Sequence, residues 1–327
     1  MRPDVFAAAL EALEGGRGVA IAAVTSASGS TPRHLGARMA VAADGQQWGT
    51  VGGGRIEQLV VAAAREVAGG AAARVVRQHL VRDLAMCCGG SMEVAVTSGA
   101  ASRDAIALLA SAKQAVVLVT PLDGSPLEVR APRDGDPRAH QPVIENGAMV
   151  ERLGPAERAI VFGHGHVAKK LGPLLGNLNF SVIVCDDGET GALDEPPTWA
   201  SRVIESFDAV EVERELGGFT GDDYVLIVTR DHAIDQKLLE QLIGHASVRY
   251  LGMIGSLGKI GRFRKRLEAK GLFDAAQWAR VRAPIGLDIG AETPEEIAIA
   301  IAAELVACRR RGGPTVGDWS TRKKQHA

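Results

Sequence analysis

The sequence lacks the marks of several large classes of protein. Its 327 residues hold four cysteines (Cys87, Cys88, Cys185 and Cys308), two of them adjacent, with no C-x-x-C pair, so neither a disulfide framework nor a structural zinc site is indicated. No apolar run reaches membrane-spanning length, and the first residues, MRPDVFAAALEALEGG, form an acidic amphipathic helix pattern without the parts of a signal peptide. A net charge of −2 offers no broad footprint for nucleic acid or an anionic membrane. No DNA-binding motif, internal repeat or low-complexity segment stands out. With 46% hydrophobic and 23% charged residues, the chain has the means to bury a core. The expectation is a soluble, cytoplasmic protein of two domains, with no nucleic-acid and no membrane partner.

What is present is concentrated in residues 159–187, AIVFGHGHVAKKLGPLLGNLNFSVIVCDD. An apolar run ends on Gly163-His164-Gly165-His166-Val167-Ala168, a helical pattern follows, and a second β-branched run ends on Asp186 and Asp187. Strand, G-x-G-x-x-A, helix, strand, acid is the pattern of a Rossmann-type nucleotide-binding unit. Gly163 permits the tight turn, Gly165 lets the backbone approach a phosphate, and Ala168 lets the helix pack close on the strand. Free N–H groups at the helix start face the anion. Asp186 stands where a carboxylate accepts a ribose hydroxyl, which favours NAD over NADP. The plainer alternative is a glycine turn in an ordinary α/β domain.

Before this unit, residues 18–27 read as a buried strand, and 37–43 with 47–51 as a hairpin through Asp44-Gly45. Residues 55–67 are helical, with Ile56, Leu59, Val60 and Ala63 on one face. Strand patterns follow at 74–81, 92–97 and 114–120, with a helix over 102–112. From 121 to 155 the composition shifts to Pro, Gly, Asp and Arg with short apolar pieces, and the domain boundary is placed near its end. The expected fold class is α/β: an N-terminal mixed α/β domain (1–150), then a C-terminal Rossmann-type parallel sheet with helices on both faces (151–327). Its further strands are expected at 201–205, 222–229 and 248–255, and its helices at 209–216, 233–244, 259–271 and 294–310. Thr293-Pro294-Glu295-Glu296 is a capping box opening the last of these.

Ligands of an open parallel sheet bind outside the carboxyl ends of its strands. Those ends are followed by Gly163-His164-Gly165-His166, Asp186-Asp187, Thr229-Arg230-Asp231-His232 and Gly255-Ser256-Leu257-Gly258-Lys259. Glu157-Arg158 and Asp222-Asp223, at the amino ends, read as solvated. His164 and His166 are candidates to face a phosphate, with helix capping as the alternative; as an H-x-H metal pair they have no third ligand at suitable spacing. Asp231-His232 reads equally as an acid–histidine pair or as a helix N-cap and its neighbour. Lys259, Arg262 and Arg266 are read on one helix face, toward an anionic ligand or simply solvated. In the first domain, Cys87-Cys88-Gly89-Gly90 puts a sulfur on a glycine turn, fit to handle a sulfur atom or a soft metal such as molybdenum, unless both are small buried hydrophobes. Val51-Gly52-Gly53-Gly54-Arg55 is a second strand–glycine–helix junction with N–H groups for an anion. Gly29-Ser30-Thr31-Pro32-Arg33 offers the hydroxyls and guanidinium that phosphate recognition uses.

Taken in order, GSTPRHLGARMAV, GTVGGGRIE, CCGGSMEV, FGHGHVAKKL, VTRDHAID, YLGMIGSLGKIGRFRKRL and APIGLDIGAETPEEIAIAIAAEL resemble the XdhC/CoxI family, accessory proteins that mature xanthine dehydrogenase and related molybdenum hydroxylases. The resemblance runs from Ser28 to Ala307. It implies a protein that binds molybdenum cofactor (molybdopterin carrying molybdenum) in the Rossmann crevice. Such a protein holds the cofactor while a cysteine desulfurase supplies the terminal sulfido ligand, then passes it to apo xanthine dehydrogenase or a related hydroxylase. That is a carrier rather than a catalyst with turnover, and no catalytic residue is assigned. The CCGG turn would face the crevice, with Cys88 the molybdenum-facing thiolate. The cofactor-binding residues implied are Cys87, Cys88, Gly163, His164, Gly165, His166, Val167, Asp186, Asp187, Thr229, Asp231, His232, Gly255, Ser256 and Lys259. Two departures stand out: the family usually has a small residue where His164 stands, and DLAMCCGG differs from the commoner glycine-glutamine approach. A rival of another class is an NAD(P)-dependent oxidoreductase built on Gly163, Gly165, Ala168 and Asp186, which lacks a tyrosine–lysine pair or an obvious hydride-transfer acid. A homodimer stands among the expected assemblies.

Overall fold

Residues 5–84, 89–191 and 193–311 are described in a computed structural model, and the chain divides after Pro155 into two units. The N-terminal unit opens with α1 (Val5–Glu14) and β1 (Val19–Ser28), a Val/Ile/Ala run whose first seven residues are buried. β2 (Arg38–Ala42) turns into β3 (Gln47–Gly49) through Asp44-Gly45, with Gly45 at φ 95° and the Asp44 carboxylate accepting the Gln46 N–H at 2.9 Å. α2 (Gly54–Ala68), β4 (Arg74–His79), α3 (Leu80–Leu84), β5 (Ser91–Ser98) and α4 (Arg103–Ser111) follow. The sheet is antiparallel, in the order β3-β2-β1-β5-β4. α2 covers one face through Ile56, Val60, Ala64 and Val67, while α1 and α4 pack against Val19, Ile21 and Ala40 of the other. The strand expected over 74–81 stops at His79, whose N–H is taken at 2.7 Å by the Asp83 carboxylate as the chain turns into α3.

The stretch 121–155, read as a composition break, carries strands. β6 (Val116–Pro121), β7 (Glu128–Arg130), β8 (Val143–Glu145) and β9 (Ala148–Leu153) form an antiparallel sheet in the order β7-β6-β9-β8. Its turn residues concealed it: Asn146-Gly147, both at positive φ, join β8 to β9 as the tight hairpin that this dipeptide favours.

The second unit holds β10 (Arg158–Phe162), α5 (His166–Asn177), β11 (Ser181–Cys185), β12 (Arg202–Ile204), α6 (Ala209–Leu216) and β13 (Asp223–Ile227). It continues with α7 (His232–Leu242), β14 (Tyr250–Met253), α8 (Leu257–Ala269), α9 (Ala275–Arg280), β15 (Val281–Arg282) and α10 (Pro294–Arg311). The six strands are all parallel, in the order β12-β11-β10-β13-β14-β15, the doubly wound arrangement of the Rossmann fold. Alternation along β10 serves both faces: Ile160 and Phe162 pack with α6, α7 and α8, Ala159 and Val161 with α5 and α10. The capping box is present, Glu296 N–H donating to Thr293 Oγ1 at 3.3 Å and Thr293 N–H to Glu296 Oε2 at 3.0 Å. Cys185 and Cys308 are buried free thiols, and no described helix is long and apolar enough to cross a membrane.

The amino edge of this sheet corrects the solvated reading. Arg158 forks onto Asp223 at 2.6 Å, and Asp223 is fully buried. Glu157, also buried, pairs with Arg309 at 2.5 Å and Arg249 at 3.5 Å and accepts the Tyr224 hydroxyl at 3.3 Å. Parallel strands that begin at one level leave charged starts side by side, and α10, packed along α5, covers them with Arg309.

Candidate functional site

From β10 the chain winds first to β11 on one side and later to β13 on the other, so the carboxyl ends of β10 and β13 flank the switch point where such sheets take ligands. Gly163 sits there at φ 110° and donates its N–H to the Cys185 carbonyl O at 2.7 Å. A Cβ on it would stand 2.6 Å from Val228 O and 2.9 Å from Thr229 Cα, both backbone, so the turn accepts only glycine. Gly165 is different. Its φ of −80° and ψ of −168° suit any residue, and a Cβ added there meets nothing within 4 Å. It precedes α5, whose start has no side-chain cap. Neither backbone nor packing asks for glycine, and the open space over uncapped N–H groups suits an anion.

His164, 3% exposed, donates its N–H to Asp186 at 2.9 Å, and its ring lies 5.8 Å from that of Trp199. The other Asp186 oxygen accepts the Gly188 N–H at 3.1 Å. Asp186 thus laces the glycine turn to the end of β11, with both oxygens engaged by backbone. Asp187 is held by Arg230 through two bonds of 2.9 Å, and this guanidinium keeps its carboxyl below the ordinary range. Arg230 also reaches Glu189 at 3.1 Å and lies over the Phe207 ring at 5.4 Å. His166 is exposed as the first residue of α5, and Val167 is half-buried against the core. One histidine faces in and the other out, and no group of three His, Cys, Asp or Glu side chains among the described residues could hold a metal.

At the end of β13, Asp231 is the N-cap of α7, accepting the Ala233 and Ile234 N–H groups at 2.6 and 3.3 Å. His232 is exposed, its ring centre 6.5 Å from that of Phe263 in an edge-on arrangement. After β14, Ser256 caps α8, accepting the Lys259 N–H at 3.3 Å. Lys259 does not share the exposed face of Arg262 and Arg266: it is buried on the stripe of Ile260, Phe263 and Leu267, paired with Asp235. A Cβ at Gly255 would lie 2.8 Å from Lys259 Cδ, so glycine lets the lysine stem pass. Thr229 donates its hydroxyl to Asp235 at 2.6 Å. Asp235 and Arg230 are functional candidates that the sequence does not single out. Asp235 has a signal there, being a carboxylate on the stripe that continues as Leu238, Leu239 and Leu242. A groove of about 510 Å³ along α7 and α8 takes in Asp231 and His232 but not the glycine turn.

In the N-terminal unit the second glycine junction is already filled. The Glu57 carboxylate accepts the Val51, Gly52 and Gly53 N–H groups at 3.0, 3.3 and 3.1 Å, besides the Thr50 hydroxyl, so the anion expected there is the chain's own. The three glycine-bearing loops do meet. A Cβ at Gly52 would lie 2.6 Å from Pro32 Cγ, the Gly90 N–H donates to Ser30 O at 3.0 Å, and Arg55 donates to Leu84 O at 3.0 Å. Cys87 and Cys88 lie outside the described residues.

The family described as the XdhC Rossmann domain matches residues 159–305, and the XdhC and CoxI family matches residues 4–79. The chain is 27% identical over 309 residues to "Uncharacterized protein YqeB" of Escherichia coli, covering 93% of this chain and 46% of that protein. It is 29% identical over 165 residues to a probable xanthine dehydrogenase component of Bacillus subtilis, covering 50% of this chain and 46% of that protein. It therefore spans less than half the length of these two. It is 23% identical over 314 residues to "Molybdenum cofactor insertion chaperone PaoD" of Escherichia coli, 92% of this chain and 86% of that one. A crystal structure described as a xanthine dehydrogenase from Bacillus halodurans superposes with a TM-score of 0.71 at 25% identity, over 97% of this chain and 99% of that one.

Proposed function

The chain belongs to the XdhC and CoxI family, and on that premise we propose that it is an accessory protein of molybdenum hydroxylase maturation. It takes molybdenum cofactor as cargo, holds it during sulfuration by a cysteine desulfurase, and delivers it to an apo-hydroxylase such as xanthine dehydrogenase. The observation that carries this reading is Gly165, a glycine required neither by its own dihedrals nor by any neighbour, beside the uncapped start of α5. There the phosphate of a molybdopterin would meet the first N–H groups of the helix. Thr229, Gly255 and Lys259 line the adjacent strand ends for the rest of the cargo, and Cys88 supplies a soft thiolate to its metal. The proposal extends to a homodimer, which the mass of the purified protein in solution tests.

The strand order equally suits a dinucleotide, which keeps the NAD(P)-dependent oxidoreductase as the second reading. Against it, Asp186 is only 3% exposed and its two oxygens accept the His164 and Gly188 N–H groups, so the carboxylate is turned to the backbone of the glycine turn and away from a ribose diol. One experiment separates the two readings. Protein incubated with molybdenum cofactor is gel-filtered and oxidised with acid iodine, the fluorescent pterin product is read, and NAD and NADP binding are measured beside it. Retained pterin without nicotinamide binding is expected; nicotinamide binding without pterin would replace the carrier with the oxidoreductase.

A further inference from the structure

Two buried side chains at the carboxyl edge have no explanation in the fold alone. Lys259 lies in the first turn of α8, where the positive end of a helix disfavours a cation, and it is 4% exposed. Its ammonium donates to Asp235 and, at 3.1 Å, to the Ile254 carbonyl O; the Phe263 ring centre lies 5.5 Å away. The third N–H has no acceptor among the described residues. Asp235, 1% exposed, accepts the Thr229 hydroxyl on its other oxygen. An apolar pair of similar volume commonly matches or exceeds a buried ion pair in stability. This one interrupts the apolar stripes of α7 and α8, and it does so at the sheet edge where ligands bind.

We propose that Lys259 is a ligand-binding residue, donating its third N–H to an electron-rich oxygen at the far end of a ligand whose phosphate rests on the start of α5, with Asp235 the positioning residue that fixes the ammonium. This rests on the reading of the crevice as the seat of a phosphate-bearing cofactor. β10 and β14 stand two strands apart, so the two anchors are separated by about 10 Å across the sheet. The ligand is therefore elongated, with an electron-rich oxygen at each end, and inorganic phosphate reaches only the α5 anchor.

The test uses the full chain. Lys259→Met with Asp235→Leu removes both charges while roughly keeping volume, and the double variant is expected to fold with a Tm near that of wild type. It should retain molybdopterin at least about tenfold less well than wild type after gel filtration, the scale of one lost charge-assisted hydrogen bond. Inorganic phosphate, followed by 31P line broadening, should bind both alike. Asp235→Asn leaves the ammonium without its acid, the only charged group within ion-pair distance of it among the described residues. Its retention should fall below that of wild type at neutral pH, because the ammonium is no longer held by its positioning acid, and Asp235→Glu should restore it. A folded double variant that keeps wild-type pterin, or loses phosphate as well, overturns the proposal and leaves the crevice reading standing. If the double variant does not fold, a folded Asp235→Asn variant with wild-type retention overturns it instead. Folded wild type that retains no pterin overturns the crevice reading and this inference together.

Discussion

Arg230, just past β13, holds both oxygens of Asp187, just past β11, at 2.9 Å each, and the strand between them is β10. The ion pair joins the two flanks of the glycine turn across the strand that opens it. Asp187 is held below its ordinary range by this guanidinium, so its contribution is present above the usual aspartate range and is lost as pH falls through the lowered value. Arg230→Gln should cost about 0.5–1 kcal/mol at neutral pH, the pair being partly exposed, and the gap from wild type should close on acidification. Thermal melts across pH measure both.

The two glycines of the turn should behave oppositely. Gly163→Ala forces a Cβ against the backbone of Val228 and Thr229 at a positive φ and should destabilise by about 2 kcal/mol or more. At Gly165 an added Cβ meets nothing within 4 Å, so Gly165→Val should keep a urea midpoint near that of wild type while abolishing pterin retention. A Gly165→Val protein that still retains pterin would move the anion site elsewhere.

Glu57 should matter to the N-terminal unit without bearing on ligand. Burial raises its pKa, but hydrogen bonds from Thr50, Gly53, Val51 and Gly52 outweigh that, and the carboxyl is held below the usual glutamate range. Its stabilisation is therefore full above that range and fades as pH falls through the lowered value. Glu57→Gln should cost about 1–2 kcal/mol at pH 7 and progressively less in acid, read from denaturation midpoints.

At the opposite edge of the second unit, Glu157→Gln leaves Arg249 and Arg309 buried beside a neutral amide. A loss of about 3–5 kcal/mol is expected, with pterin retention per folded molecule unchanged, because this network lies at the amino ends of the strands. Reduced retention in fully folded variant would refute a purely structural role.

Cys88→Ala should fold as wild type does and retain less cofactor. Equal molybdopterin in the two proteins would remove the thiolate from the proposed function.

Much of the Rossmann unit was legible because its signals are local. Gly163 and Ala168, the apolar runs of β10 and β11, and the Thr293–Glu296 box declare themselves within a few residues, and each was found where it was expected. The strands of 121–155 were missed because frequent turn residues between runs of three to six residues dilute a period-two pattern. Glu57 and Glu157 were missed or misjudged because charge in a sequence reads as exposure, whereas only packing reveals which charges are paired and covered.

The sequence by itself determined the strand, glycine turn, helix and strand that open the second unit and the tight turn at Gly163, since those depend on backbone sterics and on the period of apolar residues. Only the tertiary structure decided what the polar residues at the strand ends do. Asp186 turned inward to the backbone, Asp231 became a cap, and Lys259 left its neighbours' solvated face to meet Asp235 on another helix. Those outcomes depend on which elements the sheet order brings side by side, and a carboxylate or ammonium takes whichever partner that order places within reach.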